Sequence, residues 1–422
     1  MNICYVAWRN IIHNFSTSLL GMLLSAVGTA ILCLVMLLSV QMDKQLALSS
    51  KNIDLVLGAK GSPLQLILNS IYHVDYPTGN INFEEAQKVA ANPMVKMAVP
   101  LSMGDNYQGF RIIGTDSSFL ALYQMELREG RWVSKEFEAV IGAHVASEKK
   151  IGIGDRIVGA HGLSSNEDLH DDHPYTIVGI LHKSNAVRDN LVLTNLSSVW
   201  HMHSHEHQHE KTDHTHGHGT TQHRQKENGE HGEETVQSLV SLEDQSEQIT
   251  SMLIQYKSPS AVAMFPRMVN QNTNMQAASP YIESARLFSI MGVGLNALQM
   301  LATILMFMAA LSVFIGLYNA FKNRKYELAV MRVMGGSATE IFTMMIAEGI
   351  LITFLGTLSG IILAHIASYF IASVGQDNVL SASYVDIFEF WLLLIGMMIG
   401  FIASLIPAFS AYTTAISTTL SE

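Results

Sequence analysis

A chain of 422 residues is long enough for two or three domains, and this one devotes 49% of its residues to hydrophobic side chains and only 14% to charged ones. Ordinary soluble domains carry about 25% charged residues, so an entirely water-soluble protein is excluded. The net charge of −11, most of it contributed by residues 43–286, gives no footing to a nucleic-acid binder.

The deficit of charge is concentrated in four stretches that lack Asp, Glu, Lys and Arg: Phe15 to Met42, Leu287 to Phe321, Gly349 to Gln376 and Phe390 to Ser421. Each exceeds the roughly 20 apolar residues that a helix needs to cross a bilayer. The sequence therefore predicts transmembrane helices over 15–42, 287–321, 341–376 and 390–416, one before and three after a large hydrophilic segment. The first is too long for a secretory signal and no A-x-A-like cleavage site follows it.

Ahead of it, residues 1–14 space Ile3, Val6, Ala7, Asn10 and Ile11 near helical period, as in a short interfacial helix on the inner surface. The two cysteines, Cys4 and Cys33, suit small buried hydrophobes better than a disulfide or a metal site. Basic residues fix the expected orientation. Arg9 precedes the first span, and Lys322, Arg324, Lys325 and Arg332 lie in the 322–340 connection, whereas the 377–389 connection carries Asp377, Asp386 and Glu389 and no cation. Both termini and the 322–340 loop are expected in the cytoplasm, and residues 43–286 outside.

The outer segment is not uniform. Up to about residue 199, short β-rich runs such as "FRIIGT", "EAVIGA", "DRIVGA" and "YTIVGIL" alternate with Gly, Asn and Asp turns, and "NFEEAQKVAANP" has the pattern of a helix with Asn82 as N-cap and Pro93 beyond its end. The sequence predicts a large α+β extracytoplasmic domain inserted between helices one and two. Residues 201–235 then turn low-complexity, rich in His, Glu, Gln, Thr and Gly, a composition that cannot bury enough apolar surface to fold alone. This segment is expected to be a disordered insertion.

The tract places His201, His203, His205, His207, His209, His214, His216 and His218 within nineteen positions. Neutral imidazole is a common metal ligand, and alternating H-x-H in a flexible loop offers several weak sites, for zinc or equally for nickel or copper. A second candidate metal site lies in folded texture, with His161, His170 and His173 beside Asp171 and Asp172, and His73 beside Asp75. No G-x-S-x-G or other catalytic constellation stands out.

Inside the membrane, His365 is expected to be a neutral imidazole hydrogen-bonded to a neighbouring span, because no mid-membrane carboxylate or cation is in view to pair with it. Glu348 is expected to cap a helix or pair with loop cations, and Pro407 to kink the fourth span.

"NRKYELAVMRVMGGSATEIFTMMIAEGILI", residues 323–352, resembles the loop and third span of the macrolide-exporter, lipoprotein-releasing and FtsX-like ABC transporter permeases. "LREGRWVSKEFEAVIGAHVASEKKIGIGDRIV" followed by "YTIVGIL" is similar to the periplasmic core domain of the same family, and the one-plus-three layout agrees over nearly the whole chain. The resemblance implies a multi-pass protein of the bacterial inner (plasma) membrane, with 287–416 as the FtsX-like permease domain. It also implies mechanotransmission: a cytoplasmic ABC ATPase dimer pushes the 322–340 coupling loop, and the spans relay that motion to the outer domain. A second permease copy or a sister subunit, membrane lipid, and a periplasmic adaptor or metal-binding protein are the further partners it brings to mind.

The residues agree with a non-catalytic subunit. No G-x-x-x-x-G-K-[ST] occurs, so ATP is expected only through the partner. In the loop, Leu328, Val330, Met331 and Met334 offer apolar knobs, Arg324, Lys325, Glu327 and Arg332 a polar rim, and Gly335 and Gly336 a chain reversal. The task taken forward is handling of zinc or another divalent metal. The alternatives are export or extraction of lipoproteins, peptides or drugs with the histidines incidental, and signalling to a cell-wall hydrolase or a sensor kinase.

Overall fold

The computed structural model describes residues 3–13, 15–160, 174–202, 247–374 and 386–413. They form two compact units, Met1–Asp43 with Ser289–Glu422, and Lys44–Phe288.

The Lys44–Phe288 unit is built on a ten-stranded sheet in which β1 (Leu55–Ala59), β3 (Val95–Tyr107), β4 (Phe110–Gly114), β5 (Leu127–Gly130), β6 (Glu138–Ile141), β7 (Arg156–Ile157), β8 (Tyr175–Leu181), β9 (Leu191–Thr194), β11 (Ser251–Tyr256) and β12 (Met275–Ala278) run in the order β12-β1-β11-β3-β4-β9-β6-β8-β5, with β7 paired to β8. A small second sheet pairs β2 (Ile81–Asn82) with β10 (Gln248–Ile249). The long β3 joins two halves: its first part pairs with β11 up to Leu101, and from Ser102 it pairs with β4 across a register shift. β4 with β9 and β6 with β8 are parallel pairs, which is why helices intervene between them in sequence.

"YTIVGIL" forms β8, where Tyr175, Ile177 and Gly179 point inward at period two before a fully buried end. The four β-rich runs of the sequence are β4, β6, β7 and β8.

The helices of this unit are α3 (Pro63–Ser70), α4 (Phe83–Ala90), α5 (Ser118–Tyr123), α6 (Ala143–Lys149), α7 (196–202) and α8 (Ala261–Asn272). Asn82 caps α4, its Oδ1 accepting the Glu85 N–H at 3.0 Å, with Glu84 and Glu85 in the first turn and Lys88 in the last, the favourable order for the helix dipole. One core gathers Phe119, Tyr123, Leu66 and Val140. A second gathers Leu55, Phe265 and Ile254, and a third Phe110, Tyr175 and Val192.

The membrane unit contains α1 (Ile3–His13) and the long helices α2 (Phe15–Ser49), α9 (Pro280–Asn323), α11 (Ala338–Val374) and α12 (Ile387–Thr413), with the short α10 (Lys325–Val333) between α9 and α11. The four long helices are apolar enough to cross a membrane. Their ends differ from the charge-free runs: α9 begins at Pro280, taking in Glu283 and Arg286, and α12 begins at Ile387, taking in Glu389. α12 continues through Pro407 as one helix.

α11 and α12 meet through small residues. A Cβ on Gly396 would overlap Thr357, and one on Gly400 would overlap Thr353 and the Gly349 carbonyl. Gly349, Thr353 and Thr357 thus mesh with Gly396, Gly400 and Ser404 at i, i+4, i+8 spacing, the close backbone approach that helix pairs in lipid favour. The threonine hydroxyls donate within their own helix, Thr357 Oγ1 to Thr353 O at 2.8 Å and Thr353 Oγ1 to Gly349 O at 3.2 Å.

Candidate functional site

The segment joining spans two and three is a short helix held between two tight connections. At Arg324 the backbone leaves helical geometry (φ −111°, ψ 11°), while its N–H still reaches the Ala320 and Phe321 carbonyls at 3.2 Å each. The Lys325 ammonium sits 5.9 Å from the centre of the Phe321 ring. At the other end Gly335 takes φ +106°, a conformation open to glycine without strain. The Gly336 N–H bonds the Met331 carbonyl at 2.9 Å and the Gly335 N–H bonds that of Arg332 at 3.2 Å. This is the paired C-cap that satisfies the last carbonyls of a helix. Ser337 and Glu340 then open α11 reciprocally: Ser337 N–H donates to Glu340 Oε2 at 3.0 Å, and Glu340 N–H to Ser337 Oγ at 3.2 Å.

Between these clamps α10 has two faces. Tyr326 (64% exposed), Val333 (64%) and Met334 (82%) are open to solvent. Met331 instead packs inward on the cluster of Phe321, Ile341, Met344 and Ala408. At that turn of α10 the half-buried Met331 side chain packs against the spans. Val330 and Arg332 are half-buried, and the side chains of Glu327 and Leu328 lie outside the described part of the structure. Tyr326 and Val333 are exposed apolar residues of this helix that sequence reasoning missed. Their signal was the i, i+4, i+7 stripe of 326, 330 and 333.

The metal candidates divide sharply. His161, His170 and His173, and His203, His205, His207, His209, His214, His216 and His218, lie outside the described residues. His201 does not share their segment: it is half-buried at the end of α7, its ring 5.6 Å from that of Phe137 in an edge-on contact. The tract also spells H-E-x-x-H at residues 205–209, a zinc-hydrolase signature that has meaning only on a helix facing a cleft. In a run of alternating histidines the spelling arises readily from composition.

No third ligand-type side chain joins His73 and Asp75 among the described residues. The His73 ring is buried, and burial together with the neighbouring Arg111 guanidinium pulls its pKa down to about 3. The same positive charge opposes a bound cation. Arg111 donates to the His73 carbonyl at 3.2 Å and to the Asp75 carbonyl at 3.1 Å, while the Asp75 carboxylate accepts the Tyr76 N–H at 2.7 Å. Among the described residues no three His, Cys, Asp or Glu side chains gather as metal ligands would.

Two intramembrane groups have partners the sequence did not reveal. Because Glu389 belongs to the first turn of α12 rather than to the 377–389 loop, its carboxylate reaches His365, with Nε2 3.2 Å from both oxygens. The expectation that His365 lacked a charged partner is corrected by that helix start. Glu348 is buried, and its Oε2 accepts the Asn10 Nδ2–H at 3.4 Å.

In sequence, the MacB-like periplasmic core domain family matches residues 18–271 and the FtsX-like permease C-terminal family matches residues 299–419. No curated protein matches the chain. Among solved structures it is similar to the periplasmic region of MacB from Actinobacillus actinomycetemcomitans, at 9% identity and a TM-score of 0.33, over 56% of this chain and 95% of that one. It is also similar to the extracellular domain of the noncanonic ABC-type transporter YknZ from Gram-positive bacteria, at 11% identity and a TM-score of 0.29, over 54% of this chain and 99% of that one. The assignment rests on the two domain matches, in the order and around the four apolar helices described above: the chain belongs to the MacB/FtsX-like family of ABC transporter permeases, multi-pass membrane proteins that work with a cytoplasmic ABC ATPase.

Proposed function

We propose that this chain is the permease through which a separate ATPase moves an extracytoplasmic domain, by mechanotransmission rather than by a pore through the spans. The observation that carries the reading is α10. It is a nine-residue helix clamped at both ends, with Tyr326, Val333 and Met334 exposed and Met331 anchored among the spans. A solvent-facing apolar stripe on a helix that short has little use within one subunit, and it fits a partner's groove. The helices of spans one and two add to it. Phe15–Ser49 and Pro280–Asn323 are each a single unbroken helix. At 1.5 Å per residue the longer extends about 66 Å, twice the hydrocarbon thickness, and an unbroken helix transmits displacement along its axis.

In this reading both termini and α10 face the cytoplasm. A cysteine at Glu136 would react with an impermeant thiol reagent in spheroplasts and one at Ser337 would not. The reverse labelling would overturn both the orientation and the coupling role. The permease alone would hydrolyse no ATP. In a complex with its ATPase, Val333→Asp with Met334→Asp would abolish permease-dependent stimulation of hydrolysis while membrane insertion persists. Full stimulation in that variant would refute the docking surface.

A second reading concerns the cargo, and the eight histidines at 201–218 favour it: zinc or another divalent metal, captured outside the membrane by weak linked imidazole sites. Replacing the histidines at 203–218 with Gln in the full chain would abolish zinc binding at pH 7.5 and impair growth at zinc extremes. Growth indistinguishable from that of the parent would leave lipoprotein, peptide or drug handling, or signalling to a cell-wall hydrolase or sensor kinase, as the task.

A further inference from the structure

α1 presents two different faces. Ala7, Asn10 and Ile11 are buried within the membrane unit. Tyr5 (59% exposed), Trp8 (46%) and Ile12 (57%) form the opposite stripe, together with exposed Arg9, and Phe15 (61%) opens α2 just beyond. An outward stripe of Tyr, Trp and aliphatic residues beside a cation, immediately before a membrane span, is suited to the lipid–water boundary of an anionic leaflet.

The buried face makes one specific polar contact, from Asn10 Nδ2 to Glu348 Oε2 at 3.4 Å. Asn10 and Glu348 are 6% and 4% exposed, so neither has water to fall back on. A buried carboxylate that loses its hydrogen-bond donor pays a desolvation penalty, so the contact fixes the register of α1 against α11. The same end of the bundle holds α10. Val6 of α1 and Met331 of α10 pack on one cluster with Phe321, Ile341, Met344 and Ala411, and Arg324, the residue just before α10, lies close enough for its charge to act on Glu348.

We propose that Asn10 and Glu348 form a pin that ties the lipid-seated α1 to span three and thereby sets the position in which α10 is presented to the ATPase. Glu348 is a positioning residue: it touches no nucleotide and no cargo, and acts through α1 and the cluster shared by Val6 and Met331. The role in coupling rests on the function proposed above, whereas the pin itself is a property of this chain alone.

The test uses the full chain in nanodiscs containing anionic lipid, with Glu348→Leu, Asn10→Leu, the double variant and Glu348→Gln. Glutamine keeps an oxygen that accepts the Asn10 N–H and leucine does not. In one set of samples, with Cys4 and Cys33 replaced, spin labels on Tyr5→Cys and Met334→Cys report the distance between α1 and the end of α10. The parent and Glu348→Gln are expected to give one narrow distribution, and both leucine variants a broadened or displaced one.

In unlabelled complexes with the ATPase, each leucine substitution is expected to lower permease-stimulated hydrolysis roughly fivefold to tenfold, the scale of one buried hydrogen bond. The double variant is expected to be no worse than either single, and Glu348→Gln to restore the rate. Unchanged distances in Glu348→Leu and Asn10→Leu would overturn the pin. So would a Glu348→Gln variant as disturbed as Glu348→Leu, because the carboxylate charge beside Arg324 would then be what matters. If the distances shift as expected but the parent permease leaves ATP hydrolysis unaffected, the pin stands and the coupling function falls.

Discussion

Buried polar groups are satisfied in opposite ways in the two units. In the Lys44–Phe288 unit a buried carboxylate collects several donors from one turn. Glu138 accepts the Ser134 and Lys135 N–H groups at 2.9 and 3.1 Å and Arg131 Nη1 at 2.7 Å, and Asp189 accepts Ser184 N–H, Ser184 Oγ and Asn185 N–H between 2.6 and 3.1 Å. In the membrane unit Glu348 accepts a hydrogen bond from one amide of another helix, and Glu389 meets one imidazole of another helix and, at 3.4 Å, the Asp386 N–H. The reason is backbone chemistry. Turns leave N–H groups free to point at a side chain, whereas a spanning helix uses nearly all of its own. Intramembrane carboxylates must therefore be paired across helices, and each pair becomes a constraint on how helices pack.

The largest effect should follow from breaking such a pair. His365→Leu takes from the buried Glu389 its imidazole partner, at a cost of about 1–3 kcal/mol for an unsatisfied buried group and more where that group carries charge. His365→Leu combined with Glu389→Leu is expected to recover most of that loss, read as the detergent-solubilised unfolding midpoint. A double variant as unstable as the sum of its singles would show that the two residues do not act as a pair.

Acid should expose the outer unit instead. The His73 pKa falls from 6.5 to about 3 on folding, so between those values the unfolded chain binds the proton and the folded chain does not. Stability contributed by keeping His73 neutral is complete above pH 6.5 and is lost as pH falls toward 3. Glu138 is lowered as well, but by partners of its charged form: the hydrogen bond from Arg131, then the Ser134 and Lys135 N–H groups, hold it down to about 2 against 4.5. Its contribution is complete above pH 4.5 and disappears only as pH falls through 2. Tryptophan fluorescence of the full chain is expected to show acid unfolding that His73→Gln shifts to lower pH, whereas Glu138→Gln, which removes a contribution complete above pH 4.5, shifts it to higher pH and flattens the loss between pH 4.5 and 2. A parent whose stability is flat from pH 6.5 to 4.5 would contradict the burial of His73.

A smaller loss is expected for Asp189→Ala. It strands the Ser184 and Asn185 donors at a cost of about 1–3 kcal/mol, reduced to the extent that water enters the loop. Thermal unfolding of the outer unit would measure it, and a shift matching that of His365→Leu would erase the contrast between the two units.

The parts of the molecule legible in the sequence were those set by local pattern. Four charge-free runs foretold the spans, short β-rich runs between Gly, Asn and Asp turns the strands β4, β6, β7 and β8, and Asn82 before two glutamates the cap of α4. What stayed hidden depended on which way a residue faces in three dimensions. Met331 and Met334 are three positions apart in a nine-residue helix and its cap, yet one is half-buried against the spans and the other 82% exposed. Charge also misled the placement of helix ends, because Glu389 and Arg286 fall within helices and not beside them. The meshing of Gly396 and Gly400 with Thr357 and Thr353 has no sequence signature beyond small residues four apart, and the pairings of Glu348 and His365 required knowing which helices touch.

The smallest effect concerns a place where the membrane unit uses turn backbone as the outer unit does. Gly335, at φ +106°, lets the N–H groups of residues 335 and 336 close the end of α10. A Cβ there meets no atom within 4 Å, so the penalty for Gly335→Ala is conformational alone. A non-glycine residue forced into this left-handed region costs about 1–2 kcal/mol, and the global unfolding midpoint should fall only slightly. The functional readout should be sharper, because the strain is relieved most cheaply by unwinding the last turn of α10, which carries Val333 and Met334. Permease-stimulated ATP hydrolysis is expected to drop more than stability does, and Gly335→Asn, which tolerates the left-handed region better, to sit between alanine and the parent. Equal stimulation by all three would mean that the end of α10 is not what the ATPase grips.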